Sequence, residues 1–107
     1  MKKYTVKVSK MAEKDLENII SYIKYDLGEE NIAHKYKALF KQHLRKLEYI
    51  AGSMPILDEK LTGYKNIRKI NVRNYTIFYV ADIEESKVYV VRVGHVSMNW
   101  EKYLENI

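Results

Sequence analysis

Residues 66–95 read NIRKINVRNYTIFYVADIEESKVYVVRVGH, three strand-like runs joined by two short turns. In the first run, residues 66–73, Ile70 and Val72 fall on one face and Lys69, Asn71 and Arg73 on the other, the period of two that marks a half-buried strand. Arg73 and Asn74 make a tight reversal. The second and third runs, residues 75–82 and 87–93, are dense in Tyr, Val, Ile and Phe with few polar interruptions, the pattern of strands covered on both faces. Residues 82–86 turn between them. Such a sheet carries apolar surface on two sides, so the rest of the chain has to cover it.

The preceding residues are built to do so. Residues 3–8 alternate Tyr4, Val6 and Val8 with Thr5 and Lys7, which predicts a strand. Ser9 stands where it can cap a helix whose apolar residues Leu16, Ile19, Ile20, Ile23 and Leu27 recur at spacings of three and four and so share a face. Gly28 ends that helix in the left-handed conformation that other residues resist. A second helix over residues 31–51 places Ala33, Tyr36, Leu39, Phe40, Leu44, Leu47 and Ile50 at helical spacing, and Gly52 and Pro55 stop it. The link at residues 28–30 forces the two helices antiparallel. Burying one large aliphatic side chain is worth roughly 1.5–3 kcal/mol, so both apolar stripes belong on the sheet.

Residues 53–65 form an irregular loop with Met54, Ile56 and Leu57 tucked beneath it. The tail GHVSMNWEKYLENI gives a short helix capped by Ser97, with Trp100 and Leu104 facing inward. The expected fold is α+β in the order β-α-α-β-β-β with a short C-terminal helix, a small central antiparallel sheet covered by an α-hairpin. At 107 residues the chain is one domain, residues 1–107. The first strand either returns to the sheet edge or pairs parallel with a distant strand; the pattern leaves both open. The hairpin covers one face of the sheet, and the other is closed by Trp100, Tyr103 and Leu104 or offers a docking surface for an amphipathic segment of a partner.

A hydrophobic share of 47% with 31% charged residues places the chain among globular rather than disordered proteins. No apolar run approaches the roughly 18 residues a membrane span requires, and the N-terminus lacks the apolar centre of a signal peptide. The absence of cysteine excludes thiolate chemistry and points to the cytoplasm. The net charge is +5, and residues 63–75 contain Lys65, Arg68, Lys69 and Arg73 without a carboxylate. With Arg92 and His95 they form a patch suited to phosphates or to an acidic protein. His34 and His43, nine apart on one helix, do not share the face a helical metal site uses, and no glycine-rich phosphate loop occurs. No metal and no cofactor are expected. Tyr22, Tyr36, Tyr75 and Tyr79, of ten tyrosines, fall on core or boundary positions.

Four pieces of sequence taken in order resemble the RelE/ParE toxin superfamily, the toxic halves of type II toxin–antitoxin modules. The first is A-x-x-D-L-x-x-I-x-x-Y-I, here Ala12, Asp15, Leu16, Ile19, Tyr22 and Ile23. An apolar second helix before Pro55 is the second, and R-K-I-x-V-x-N-Y-x-I-F-Y, from Arg68 to Tyr79, is the third. The last is V-x-x-V-R-V, ending at Val93, with Trp100 beyond it. The resemblance covers nearly the whole chain. It implies a small cytoplasmic toxin neutralised by a cognate antitoxin, itself small and acidic, and no membrane partner.

Two activities follow from the resemblance. ParE-type members poison DNA gyrase by binding it and carry a long α-hairpin, with which arms of roughly 17 and 21 residues agree. This is the leading expectation. RelE- and YoeB-type members cut messenger RNA on the ribosome, which needs a proton acceptor, cations at the phosphate and an acid. For that alternative the resemblance implies Lys69 and His95, and Arg73 and Tyr103, the latter as a substitute acid from the C-terminal helix, complete the candidate catalytic set. Contacts to the target or to RNA fall on Lys65, Arg68, Lys69, Arg73 and Arg92. Two positions depart from the nuclease pattern: Thr76 stands where the nucleases have arginine, and Val96 where an aromatic follows the histidine. A third reading is a non-toxic nucleic-acid-binding or assembly module that uses Arg68, Lys69 and Arg73 on phosphates.

Overall fold

The computed structural model describes residues 3–57 and 66–104, apart from the side chains of Trp100 and Tyr103. Strand β1, Thr5–Val8, leads into helix α1, Lys10–Ser21, and α1 continues through a π-helical turn at Tyr22–Asp26. Helix α2, Glu30–Ile50, closes with a 3-10 turn at Ala51–Ser53. Strands β2, Ile67–Val72, β3, Tyr75–Asp82, and β4, Lys87–His95, follow, and a short helix α3, Trp100–Leu104, comes last. No helix among the described residues is long and apolar enough to cross a membrane.

The three C-terminal strands form the expected antiparallel meander. The sheet as a whole is mixed, because β1 sits at its edge parallel to β4 and the strand order is β1-β4-β3-β2. The hairpin is the crossover that a parallel pairing requires. Both turns of the meander use residues with positive φ, Arg73 at 55° and Ser86 at 54°. Strand bounds match expectation to within two residues, and β4 runs on past the expected Val93 to His95. That extension displaces Ser97 from its expected capping role: the last helix begins only at Trp100, and the Ser97 hydroxyl lies 2.7 Å from His95 Nδ1 instead.

The hairpin lies on one face of the sheet. Phe40, Leu47, Ala12, Ile70, Val72, Ile77, Tyr79, Val88, Val90 and Val93 are buried between the two layers, with Leu16, Ile19, Ile20 and Leu44 packed against them. A smaller cluster of Ile67, Phe78 and Leu104 occupies the opposite face with Leu57, Val80 and Val91, so the sheet is apolar on both sides, as its sequence requires. Leu104 faces inward as expected; the orientation of Trp100 lies outside the described residues. Met54 and Leu57 tuck inward, whereas Ile56 is half exposed and bridges Arg68.

Helix α1 starts as its sequence dictates, with the Ser9 hydroxyl accepting from the Ala12 N–H at 3.1 Å. Its end departs from a regular helix. The Leu27 N–H reaches back five residues to the Tyr22 carbonyl at 3.0 Å, and Gly28 then turns with φ 67°. The wider turn breaks the 3.6-residue register. Ile23 stays buried, but Leu27, expected on the inner stripe, is 54% exposed, and Tyr22, expected at the core boundary, is 49% exposed.

The end of α2 is tied to the sheet by side chains. Tyr79 donates to the Ala51 carbonyl at 2.8 Å, and Arg68 Nη1 donates to the carbonyls of Gly52 and Met54 at 2.8 and 2.7 Å. These groups satisfy carbonyls that a helix end leaves open. Gly52 is required here by close approach, since a Cβ at this position would run into the Tyr4 hydroxyl.

Burial pushes the Tyr79 phenol up to about 12, with the Arg68 cation pulling the other way and Tyr4 adding to the rise. An unfolded phenol titrates near 10, so the folded chain holds this proton more tightly. The stability it confers is complete below pH 10 and falls as pH rises from about 10 to about 12. Unfolding free energy measured against pH is expected to lose on the order of 2 kcal/mol across that window. Tyr79→Phe should remove this component of the slope; an identical slope in the variant would assign the loss to other groups.

Candidate functional site

The end of β4 meets the hairpin tip in a concave region centred on His95. A cleft of about 450 Å³ on one side is lined by residues that include Asn18, Tyr22, Tyr75, Arg92, His95 and Met98. A second, of about 380 Å³, shares Tyr22, Tyr75 and His95 and adds Leu27, Glu29, Ile32, Tyr36 and Asn74. Aromatic rings carry order from the core to this surface. Phe40 and Tyr36 meet the Tyr75 ring at 5.8 and 5.4 Å, and Tyr75 meets His95 edge to face at 5.5 Å. Burial first, then the neighbouring phenols of Tyr36 and Tyr22, raise the Tyr75 pKa, so its hydroxyl stays protonated at neutral pH.

The His95 ring is oriented by Ser97. The Ser97 backbone N–H donates to Nδ1 at 3.1 Å and the Ser97 hydroxyl lies 2.7 Å from the same atom. An amide N–H can only donate, so Nδ1 carries the lone pair and Nε2 carries the proton. The imidazole therefore offers a donor at Nε2, while its lone pair is engaged by Ser97.

Arg92 is held by Asp15 in α1. Nε and Nη2 of Arg92 donate to the two carboxylate oxygens at 2.8 and 2.9 Å, and the Val93 N–H donates to Asp15 at 3.0 Å. Both side chains are nearly buried. The arrangement follows from topology: β1 stops at Val8, and Ser9 takes the next two β4 carbonyls, Val90 through its N–H and Val91 through its hydroxyl. Asp15 then serves β4 where β1 no longer runs. A register shift opposite Phe78 and Tyr79 leaves Val91 as the extra residue of a bulge beside Arg92. Sequence reading missed Asp15 as part of the site, although a carboxylate bordering the apolar stripe, next to Leu16, was the available signal.

The other predicted residues are dispersed. Arg68 is bound to the α2 end. Lys69 is half-buried and shares strand parity with Ile67, which belongs to the small cluster on the sheet face away from the hairpin. His95 stands against Tyr75 on the hairpin side. Lys69 pairs Phe78, whereas His95 pairs Tyr75 two strands over. That register sets the two backbones about 14 Å apart, with the side chains on opposite faces. Thr76, where the nucleases have arginine, is buried and donates to Asn71 Oδ1 at 2.9 Å. Arg73 is exposed at the turn next to the Val72–Tyr75 pair, and Tyr75 in turn pairs His95. Lys65 and the Tyr103 side chain lie outside the described residues. Of the other histidines, His34 is exposed and His43 Nδ1 lies 2.8 Å from the Leu39 carbonyl on its own helix.

Residues 6–100 match the family model described as ParE toxin of type II toxin-antitoxin system, parDE. The fold is similar to a chain of the chromosomal ParDE toxin–antitoxin system from P. aeruginosa. The TM-score is 0.72 at 13% identity, over 91% of this chain and 100% of that one. It is also similar to a chain of the RelBE2 toxin–antitoxin complex from Mycobacterium tuberculosis, with a TM-score of 0.61 at 20% identity, over 87% of this chain and 98% of that one. No curated protein sequence matches.

Proposed function

We propose that this chain, which belongs to the ParE toxin family of type II toxin–antitoxin systems, arrests growth by binding DNA gyrase and is neutralised in the cytoplasm by a small acidic antitoxin. The observation that carries the choice of binding over RNA cleavage is the separation of Lys69 from His95 on opposite sheet faces. A phosphodiester cleavage site needs its base and its cations around one phosphate. The engagement of the His95 lone pair by Ser97 and the burial of Thr76 support the same reading. So does the fixed Arg92, which lines the His95 cleft but is already shared with the Asp15 carboxylate. The antitoxin follows from family membership and from the carboxylate-free basic segment at residues 63–75, which suits an acidic partner.

The test is expression of the chain without antitoxin, with gyrase supercoiling assayed on the purified protein and messenger ends mapped in the same cells. Growth arrest with DNA damage and intact messages is expected, and messages should be as intact with His95→Gln as with wild type, whereas loss of a catalytic donor typically changes a cleavage rate by about 100-fold or more. In-frame cuts within translated messages that disappear in His95→Gln would overturn the gyrase reading in favour of the nuclease one.

A further inference from the structure

The described residues expose eleven large apolar side chains, and six of them stand at one end of the molecule. Tyr22, Tyr25, Leu27 and Ile32 are on the hairpin tip, and Val96 and Met98 follow β4. The two clefts on either side of His95 bring Tyr22, Leu27, Ile32 and Met98 together around it. Isolated apolar side chains on a surface are ordinary, but a contiguous group rich in tyrosine and methionine is the composition of a protein contact. The π-helical turn is what exposes it: a regular helix would carry Leu27 back to the inner stripe, and the wider turn holds Leu27 and Tyr22 outward. Such turns concentrate at functional positions.

Charge selects among the partners this surface could take. The tip, residues 22–32, holds Asp26, Glu29 and Glu30 against Lys24 alone, in a chain whose net charge is +5. Lys24 is paired with Glu30, and it also sits over the Tyr25 ring at 5.2 Å. On the far rim Arg73 is exposed at the turn beside Asn74, and the Arg92 within the cleft is neutralised by Asp15. An acidic surface of this kind repels nucleic acid and an acidic peptide alike, whereas lysine and arginine beside an apolar anchor complement it.

We infer that the hairpin tip and the end of β4 form the docking surface for the target protein, and that the occupant is a segment with an aliphatic or aromatic anchor flanked by lysine or arginine. This rests on the reading of the chain as a toxin that acts by binding a protein. It places the target contact at the acidic tip, away from the basic strand β2. The anchor enters beside Tyr22 and His95, where the Nε2–H and the Tyr75 hydroxyl are donors for its backbone carbonyls.

Two short peptides with one leucine–tryptophan anchor, flanked by lysines in one and by glutamates in the other, are titrated into the isotopically labelled protein alongside oligothymidylate. The lysine peptide should shift the amides of residues 22–32 and 95–98 and bind at least about tenfold more tightly than the glutamate peptide. The exposed double variant Asp26→Lys/Glu29→Lys should invert that order, and its circular dichroism would confirm that it is folded. Equal or stronger shifts of the same amides by the glutamate peptide or by oligothymidylate would overturn the inference, as would no shift by either peptide. A second arm separates this from the gyrase reading. If wild-type chain inhibits gyrase and the double variant inhibits it equally, the docking surface is wrong and the gyrase reading stands. If wild-type chain cuts messages and leaves gyrase untouched, the gyrase reading fails while the peptide titration still decides the surface.

Discussion

Asp15→Ala is expected to cost about 3–5 kcal/mol of folding stability, the range for removing one partner of a buried ion pair. The carboxylate accepts two hydrogen bonds from Arg92 and one from the Val93 amide, and alanine leaves a nearly buried guanidinium and a strand N–H without their acceptor. Arg92→Ala removes only the guanidinium and leaves Asp15 its bond to Val93, so its loss should be smaller. Asp15→Asn should fall between, since the amide oxygen can keep the Val93 bond while its NH₂ faces the arginine. The double variant Asp15→Ala/Arg92→Met should recover part of the loss, because no buried charge is left unpaired and the methionine chain still fills space. Urea denaturation of the four variants measures this directly. Equal midpoints for wild type and Asp15→Ala would mean that the pair is solvated in solution. The sites are linked as well: Val93 lies two residues from His95 on the same strand, so the variants should shift the His95 and Tyr75 ring resonances before the chain unfolds.

What was legible in the sequence was what repeats. The period of two in β2, the runs of β-branched and aromatic residues in β3 and β4, the Ser9 cap and the turn at Gly28 are local signals, and the structure follows them closely. The parallel pairing of β1 was not legible, because partners 82 residues apart leave no mark in a local pattern. Neither was the π-helical turn, since Leu27 sits at helical spacing from Ile23 and only the bond from its N–H to Tyr22 shows that it points outward. The site fared less well for a related reason. A cation in a strand looks the same in sequence whether it meets a phosphate, a carboxylate or a helix end. Arg68 and Arg92 were both legible as positive charge, yet one holds the end of α2 and the other holds Asp15. Lys69 and His95 fall in one basic stretch of sequence, and strand register separates them.

Arg68 supplies the sharpest remaining separation between holding the fold and touching a partner. Its Nη1 bonds the Gly52 and Met54 carbonyls, Tyr79 bonds Ala51 beside them, and Arg68 Nε is buried without a hydrogen-bond partner among the described residues. Arg68→Ala should therefore destabilise the fold by about 2–3 kcal/mol, the cost of leaving charge-assisted bonds unmade at part-buried carbonyls. Arg68→Lys should recover only part of that, since the ammonium stops about one bond length short and cannot reproduce the fork. Because Tyr79 and Arg68 fasten the same turn, Arg68→Ala and Tyr79→Phe should combine non-additively, with a coupling of about 0.5–3 kcal/mol. If Arg68 were instead a phosphate or target contact, Arg68→Ala would leave the unfolding midpoint within about 0.5 kcal/mol of wild type and weaken binding in a salt-dependent way. Denaturation midpoints and gyrase inhibition measured on the same folded preparations tell the two apart. The geometry at Gly52 and Met54 requires the midpoint to move and inhibition to track the folded fraction.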